Sequence, residues 1–550
     1  SAKGITNRVV NKMMQQLFLE TKANFEETLS SHLIEELKLI SKADALLNIH
    51  FPKSQELLAK AQFRLKFEEL FFIQLQLLSK KAARKKKIKG LPFTEVGESF
   101  NGFFKSHLPF ELTNAQKRVI KEIRNDMGSA AQMNRLLQGD VGSGKTIVGL
   151  MCMLLAIDNG FQACLMAPTE ILAQQHYNGL KDFLIHMDVK IALLTGSTKR
   201  AERTFLHNQL ENGNLNILVG THAVLEDMVR FKNLGLAIID EQHRFGVAQR
   251  SKLWQKGSPQ DEDGGALPPH ILVMTATPIP RTLAMSLYGD LDISIIDELP
   301  PGRKAVKTVH RYDTNRLKVF RFLKDEIQKG RQVYIVYPLI QESEALDYKD
   351  LMDGYESISR EFPTPEYQIS IVHGQMKSQD KDYEMERFVK GETQIMVATT
   401  VIEVGVNVPN ASVMIIESAE RFGLSQLHQL RGRVGRGAEQ SYCILMTSYQ
   451  LSSDAKTRLE TMCSTNDGFE ISEVDLKLRG PGDLMGTQQS GLLNLKIADI
   501  VKDNPILKTA RYYAIQLLKN DPKLEKNGNL RIRRAYMQLV KDKAIWGYIS

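Results

Sequence analysis

The chain has 550 residues, of which 43% are hydrophobic, 25% charged and 7% aromatic, as expected for a folded protein of several domains. This composition excludes a disordered chain, a collagen-like repeat and a disulfide-stapled miniprotein. The sequence holds 72 Lys and Arg against 64 Asp and Glu, a net charge of +8. It contains no apolar stretch long enough for a membrane span and no apolar core typical of a secretory signal, so we expect neither.

The first hundred residues are predicted to be helical. Ser54 is a candidate N-cap for a long helix in which apolar residues recur at three- and four-residue intervals, and this helix should end near Gly90-Leu91-Pro92. Its last part, Lys80–Lys89, holds seven basic residues and no acidic one, which accounts for nearly all of the net charge. This tract is either a solvated helix end or a surface that contacts nucleic-acid phosphates, and both interpretations remain open.

Two runs of short apolar segments follow, and each predicts a parallel β-sheet with helices on both faces. The strands predicted in the first run are 135–138, 163–167, 191–194, 217–219, 236–239 and 271–274. Those in the second run are 333–336, 369–372, 395–397, 413–416 and 442–445. An acidic stretch at 341–367 is predicted to be irregular, and the chain beyond 450 to be helical with an interruption at 479–483.

The sequence therefore predicts an α/β protein with a helical N-terminal part at 1–100, two α/β domains at 101–300 and 301–450, and a helical C-terminal part at 451–550. Four cysteines show no metal-ligand spacing and are predicted to be small buried apolar residues: Cys152, Cys164, Cys443 and Cys463. We interpret His373 and His428 as hydrogen-bonded structural histidines.

A phosphate-binding pattern follows the first predicted strand and opens a helix: Gly139-Asp140-Val141-Gly142-Ser143-Gly144-Lys145-Thr146. The glycines allow backbone N–H groups to approach phosphate oxygens, and the helix N-terminus favours their negative charge. We expect Lys145 to reach the β- and γ-phosphates of a nucleotide and the Thr146 hydroxyl to bind Mg²⁺.

Two acidic residues end the predicted strand at 236–239, in the sequence Asp240-Glu241-Gln242-His243. Ligands of such sheets bind at the carboxyl ends of the strands. With the phosphate loop upstream, this position predicts that Asp240 holds Mg²⁺ and that Glu241 orients or deprotonates the attacking water.

An arginine-rich segment, Gln429–Arg436, lies in the second α/β domain. These arginines could be ordinary surface charge. We favour the interpretation that Arg433 and Arg436 meet the γ-phosphate when the two domains close, with Gln429 also at the nucleotide.

Motif by motif, the sequence resembles the superfamily 2 helicases. The resemblance implies two tandem RecA-like domains, with Gln116 reading adenine and Phe110 stacking beside it. It also implies contact with nucleic acid, or coupling of hydrolysis to DNA movement, for a further set of residues: Thr169, Thr221, His243, Thr275, Thr277 and Thr400.

Three segments resemble the RecG family of bacterial branched-DNA translocases more closely: 240–247, 275–282 and the tail from 467 to 491. In that family the tail forms a helical hairpin and loop, called the TRG region, that links nucleotide state to movement on duplex DNA. Here Arg479, Gly480 and Gln489 are its candidate residues. The resemblance further implies ATP and Mg²⁺, branched or duplex DNA as partner, possible binding to a single-stranded-DNA-binding protein, a monomer, and a cytoplasmic, nucleoid-associated location.

Two features depart from the family pattern. RecG proteins carry an N-terminal wedge domain of oligonucleotide-binding fold, whereas no run of short strands precedes the first predicted sheet, so we expect the wedge to be missing and fork unwinding to be weak. Asn407 occupies a position where many superfamily members have Asp, and we assign it no metal or proton-transfer role.

Three other functions are compatible with part of the pattern. A translocase like the transcription-repair coupling factor shares the motor and the TRG-type tail, but would need a further domain to bind RNA polymerase. The Asp-Glu-Gln-His and Thr-Ala-Thr signatures disfavour an RNA helicase. The presence of Glu241, Arg433 and Arg436 disfavours a DNA scaffold that does not hydrolyse ATP.

Overall fold

A computed structural model describes residues 7–21, 25–241, 252–253, 256, 267–276, 280, 291–300, 302, 304–338, 344–399, 408–435, 437, 439–484 and 495–547. The described residues form two compact units. Unit 1 contains 7–87 and 479–547, and unit 2 contains 88–280 and 291–478. Within the described part of the chain, no helix combines the length and the apolarity needed to cross a membrane.

The structure contains seventeen α-helices and thirteen strands in its described part. The helices are α1 (Asn7–Glu20), α2 (Ser31–Glu36), α3 (Lys42–His50), α4 (Gln55–Lys87), α5 (Glu98–Gly102), α6 (Asn114–Met127), α7 (Lys145–Asp158), α8 (Glu170–Phe183), α9 (Arg200–Glu211), α10 (Arg316–Gln328), α11 (Glu344–Glu361), α12 (Ser378–Val389), α13 (Leu424–Arg431), α14 (Ser453–Ser464), α15 (Gly468–Leu484), α16 (Asn504–Asn520) and α17 (Leu530–Gly547). The strands are β1 (Asn134–Gly139), β2 (Gln162–Met166), β3 (Ile191–Leu194), β4 (Ile217–Gly220), β5 (Leu234–Asp240), β6 (His270–Thr275), β7 (Asp292–Ile296), β8 (Lys307–Tyr312), β9 (Gln332–Tyr337), β10 (Ile369–Val372), β11 (Ile395–Thr399), β12 (Ala411–Ile416) and β13 (Tyr442–Thr447).

Unit 1 is helical in its described part and is built around the long helix α4. As predicted, Ser54 caps this helix, since its hydroxyl accepts a hydrogen bond from the Leu57 N–H at 3.1 Å. The apolar face of α4 packs on α3 and α16. Arg64 is fully buried on α4, where Glu27 and Glu68 neutralise its charge, each at 2.5 Å.

Unit 2 contains two parallel sheets, which confirms the predicted α/β class. The first has the strand order β3-β4-β2-β5-β6-β1-β7 and the second β10-β11-β9-β12-β13-β8. The central strands β1, β5, β6 and β11 are buried along their whole length, because helices cover both faces of each sheet. Every strand predicted from the sequence is present.

The prediction that 341–367 is irregular is wrong, because the helix α11 lies there. Leu351 and Ile358 lie seven residues apart on one face of this helix and are buried with Phe362. The intervening acidic residues masked this spacing in the sequence.

Two smaller predictions are also corrected. The interruption at 479–483 is absent, since α15 continues to Leu484. A proline removes only one helical hydrogen bond, and a single turn follows Pro481. Three of the cysteines are buried, but Cys463 is exposed because it lies beside, not on, the apolar face of α14 formed by Ala455, Leu459 and Met462.

Candidate functional site

Most of the predicted site residues of the first sheet lie at one edge, where its parallel strands end. β1 ends at Gly139, β5 at Asp240 and β6 at Thr275. Thr169 and Thr221 follow the ends of β2 and β4. The fold therefore brings together residues that are separated by more than 100 positions in the sequence.

The turn between β1 and α7 depends on its glycines. Gly142 and Gly144 have φ angles of 75° and 85°, in the left-handed region that favours glycine. A Cβ on Gly144 would overlap the side-chain amide of Gln116, and one on Gly139 would overlap the Ser143 hydroxyl. At Gly144 the backbone is thus closely surrounded as well as left-handed.

Lys145 begins α7 with only 9% of its surface exposed. Its Nζ donates to the carbonyl oxygens of Gly139 at 2.8 Å and Asp140 at 2.9 Å. The ammonium group is therefore held over the loop, at the helix end that attracts anions. Thr146 follows it and is half-buried.

Gln116 supports this loop from α6. Thr113 and Gln116 form a reciprocal capping box at the start of α6. The Gln116 amide also donates to the Ser143 carbonyl oxygen at 2.8 Å. Phe110 is 42% exposed and packs edge-to-face on Phe183, which leaves part of its ring accessible for stacking.

The acidic pair at the end of β5 is arranged asymmetrically. One Asp240 oxygen lies 2.8 Å from Nε2 of His176, and the other accepts from the Glu241 N–H at 3.1 Å. Burial and the charge of Asp240 raise the pKa of Glu241 to about 7, although Lys145 and Arg433 oppose this shift. Glu241 can therefore gain or lose a proton near neutral pH.

The arginine-rich segment of the second sheet lies against the phosphate loop of the first. The charge of Arg433 acts on Glu241, as its effect on that pKa indicates. A Cβ on Gly432 would lie 2.8 Å from the Val141 side chain, so the Gly432 backbone packs closely against that side chain. The Nε2 atom of His428 is 2.6 Å from Asp140 Oδ1. Gln429 is half-buried on α13.

The threonines predicted on the nucleic-acid side differ in their surroundings. Thr169 caps α8, accepting from the Leu172 N–H at 3.4 Å, whereas Thr221 and Thr275 are buried. Several predicted residues lie outside the described part of the chain: His243, Thr277, Thr400, Asn407, Arg436 and Gln489. Arg479 and Gly480 lie on α15, but their side chains are outside the description.

Sequence reasoning missed two histidine contacts at this site. His176 lies on the buried face of α8 with Leu172, Ala173 and Leu180, and a polar residue within an apolar face was the available signal. The contact of His428 with Asp140 joins residues 288 positions apart, and no local sequence pattern predicts it.

The loop and the carboxylates fit a magnesium nucleoside triphosphate. Gly142 and Gly144 adopt left-handed backbone conformations, of the kind that turn successive N–H groups towards phosphate oxygens. The Ser143 hydroxyl is buried and has no hydrogen-bond partner among the described residues. Lys145 supplies a cation, and Asp240 with Thr146 supplies the hard oxygen ligands that Mg²⁺ prefers.

Family comparisons agree with this geometry. Residues 113–286 match the DEAD/DEAH box helicase family, and residues 318–438 match the helicase conserved C-terminal domain. Residues 465–550 match the C-terminal part of domain 3 of the ATP-dependent DNA helicase RecG.

Individual proteins similar to this chain are also RecG helicases. The ATP-dependent DNA helicase RecG of Synechocystis is 47% identical over 96% of this chain and 62% of its own length. That of Bacillus subtilis is 46% identical over 94% of this chain and 74% of its own length. A solved structure of RecG bound to a three-way DNA junction is 42% identical with a TM-score of 0.68, covering 92% of this chain and 65% of that one.

The chain thus spans about two thirds of the length of these relatives, from 62% to 74%. The phosphate loop lies within the match to the DEAD/DEAH box helicase family, and the arginine segment lies within the match to the helicase conserved C-terminal domain. Two tandem RecA-like domains, high identity and the RecG-specific C-terminal match lead to one conclusion: the chain belongs to the RecG family of ATP-dependent DNA helicases.

Proposed function

We propose that this chain is an ATP-driven double-stranded-DNA translocase and helicase that acts on branched DNA, such as stalled forks and Holliday junctions, in recombination and repair. The observation that carries the proposal is that the arginine segment of the second sheet meets the site of the first, where the charge of Arg433 acts on Glu241 and Gly432 lies against Val141 of the phosphate loop. An ATPase assembled from two domains can convert hydrolysis into domain movement.

Each residue of the site has a defined task in this proposal. The loop N–H groups and Lys145 bind the phosphates, after Lys145 exchanges its carbonyl partners for phosphate oxygens. Thr146 and Asp240 would hold Mg²⁺, which supplies positive charge against the phosphate oxygens. Glu241 accepts a proton from the attacking water, and Arg433 with Arg436 compensates the charge that develops on the γ-phosphate.

The same edge of the sheets would also serve DNA. Thr169, Thr221 and Thr275 follow or end strands at this edge, on the side of the loop and carboxylates. Contacts mainly to phosphates would let the protein move along DNA of any sequence. In this proposal Arg479, Gly480 and Gln489 belong to the segment that transmits hydrolysis to the duplex.

Family membership supports the finer assignments. We propose that domain 1, at 101–300, binds ATP and that domain 2, at 301–450, supplies Arg433 and Arg436. The parts at 1–100 and 451–550 are helical. We further propose that the protein acts as a monomer in the bacterial cytoplasm, near the nucleoid, and that it can be recruited by a single-stranded-DNA-binding protein.

The decisive experiment compares ATPase rates without nucleic acid and with single-stranded DNA, duplex DNA, a fork and duplex RNA. The variant Lys145→Ala is the control for contaminating activity. We expect duplex or forked DNA to stimulate hydrolysis most, and Lys145→Ala to remain inactive. Stimulation by RNA alone would overturn the assignment to DNA.

A further inference from the structure

The end of α4 carries the basic tract Lys80–Lys89, for which two interpretations were open on sequence alone. The last buried side chain of α4 is Leu77. The final ten residues of the helix, 78–87, continue for about 15 Å without a buried residue. The side chains of this stretch are therefore half-buried or exposed, and they take no part in the core of unit 1.

The electrostatics of a helix end account for only part of the tract. Basic side chains in the last turn of α4, Arg84–Lys87, are favoured by the negative end of the helix dipole. This effect fades within one turn, so it does not explain Lys80 and Lys81. The pairs Lys80–Arg84 and Lys81–Lys85 instead place like charges four residues apart, which destabilises a helix. An anionic partner would relieve this repulsion.

The tract differs from the rest of α4 in how its charges are paired. Earlier in the helix, Lys60 and Lys66 each form an ion pair with a carboxylate, at 2.6 Å and 2.8 Å. In the tract, Lys80, Lys86 and Lys87 are exposed, and within the described part of the chain no carboxylate forms an ion pair with them. These three ammonium groups can therefore bind an anion from outside the chain.

The composition of the tract indicates which kind of anion it suits. The residues between its basic positions are Ala82, Ala83 and the half-buried Ile88. The tract thus offers neither the aromatic anchors typical of protein interfaces nor the aromatic rings on which single-stranded bases stack. Closely spaced cations without such anchors suit the phosphate backbone of a duplex, which is contacted independently of base sequence.

The last base of the tract lies at the edge of the first sheet opposite the phosphate loop. Lys89 forms an antiparallel bridge with Ala131, and the Gly90 N–H donates to the Ala130 carbonyl oxygen at 2.9 Å. These residues precede β1, which spans about 17 Å from this edge to the loop at Gly139. A duplex held along the loop edge would reach Lys89 only by bending sharply, which is costly for stiff DNA. Duplex DNA at the tract would therefore be a different arm.

We propose that the basic tract Lys80–Lys89 binds the phosphate backbone of a second duplex arm of branched DNA, while the loop edge of the sheets serves the arm along which the protein moves. The inference deepens the proposed function and rests on it. It supplies a contact by which a translocase on one arm distinguishes a branched substrate from a linear duplex. Because this contact is electrostatic, its strength depends on salt concentration and not on base sequence.

The test neutralises the three exposed lysines together, as Lys80→Gln, Lys86→Gln and Lys87→Gln in the full chain. Glutamine is a good helix former, and these side chains lie beyond the buried part of α4, so Tm should match that of the parent. Fluorescence anisotropy without nucleotide gives the affinity for a three-way junction and for a linear duplex between about 50 and 200 mM salt. Arginine at the same three positions is the rescue variant, because it retains the charge.

The matched control removes an equal charge elsewhere in unit 1. Lys519→Gln, Lys523→Gln and Lys526→Gln are substituted together, since these exposed lysines are interspersed with Asp521 and Glu525 and form no single-sign tract. This variant should bind the junction with the salt dependence of the parent. It shows whether net charge alone, and not the position of the charge, determines DNA binding.

Each lost phosphate contact lowers the slope of log affinity against log salt by about 0.9, so the triple glutamine variant of the tract should lose about 2.7 on the junction. Its affinity should then fall about 40-fold less than that of the parent between 50 and 200 mM salt. On the linear duplex its slope should match that of the parent, and the arginine variant should match the parent on both substrates.

Three outcomes would overturn the proposal. These are a slope on the junction within about one of the parent slope, an equal reduction in the matched control, and an equal reduction on the linear duplex, which would mean that the tract contacts the same arm as the loop edge. Failure of the proposed function appears differently, as an absence of DNA-stimulated ATPase in the parent chain, because the binding measurement uses no ATP.

Discussion

At the scale of single residues, the surroundings of Glu241 determine when it can accept a proton. Burial and Asp240 raise its pKa to about 7, against the opposing charges of Lys145 and Arg433. Since only the ionised carboxylate accepts a proton, kcat/KM for ATP should rise with pH through about 7 and then level off. A pH profile of the ATPase checks this, and a flat profile between pH 6 and 8 would exclude Glu241 as the base.

Glu241→Gln should separate catalysis from stability. ATP turnover should fall by about 10²–10⁴-fold, because the amide cannot accept the proton. A carboxyl group whose pKa is raised by folding lowers the stability of the folded state as pH rises from 4.5 towards 7. The variant should therefore melt no lower than the parent at pH 8. Normal turnover, or a clearly lower Tm, would contradict this assignment.

Gly144 and Gly160 allow crowding to be distinguished from backbone strain. Their φ angles are 85° and 79°, but a Cβ on Gly144 would meet the Gln116 amide, whereas nothing lies within 4 Å of one on Gly160. Both alanine variants should lose about 1 kcal/mol from the left-handed backbone. Gly144→Ala should in addition weaken ATP binding and lower Tm further, as measured by nucleotide titration and thermal melts. Equal effects at both positions would mean that the contact with Gln116 is unimportant.

At the scale of elements, α4 holds the chain that leads into α16. The Glu69 carboxylate accepts hydrogen bonds from the backbone N–H groups of Lys496 at 2.6 Å, Ile497 at 3.0 Å and Ala498 at 2.8 Å. One turn earlier on α4, Lys66 pairs with Asp503 at 2.8 Å. These contacts fix the segment that follows residue 494 within unit 1.

Glu69→Ala should loosen this segment locally. Loss of the carboxylate leaves three N–H groups without their acceptor, at a cost of about 1–3 kcal/mol. Hydrogen exchange at residues 496–498 should accelerate, while exchange in unit 2 is unchanged. Glu56→Ala is the control on the same helix: Glu56 pairs with exposed Lys60, so its loss should have little effect. Unchanged exchange in Glu69→Ala would contradict the anchoring role.

The elements also show what the sequence could predict. Strands inside parallel sheets are covered on both faces, so β5, β6 and β11 appear as continuous apolar runs and were predicted correctly. β7 and β8 were missed because polar residues interrupt their apolar positions, Asp292 and Ser294 in β7 and Lys307, His310 and Arg311 in β8. In the site, the phosphate loop is local and predictable, whereas the His176 and His428 contacts depend on tertiary folding.

At the scale of the whole molecule, the proposed function requires residues of the second domain to complete the hydrolysis site of the first. Unit 2 brings Arg433 near Glu241 and His428 to Asp140, so in the proposed function the hydrolysis site contains residues from both sheets. Such an arrangement gives an ATPase whose rate reports domain closure. It also predicts that substitution of Glu241 or of Arg433 impairs movement along DNA.

Displacement of a third strand from triplex DNA by the full chain tests this claim most directly, because it measures movement along duplex DNA without requiring strand separation. The account predicts ATP-dependent displacement by the parent chain and none by Lys145→Ala or Arg433→Ala. DNA-stimulated ATP hydrolysis with no displacement, or equal displacement by Lys145→Ala, would contradict the conclusion that hydrolysis at this site moves the protein along duplex DNA.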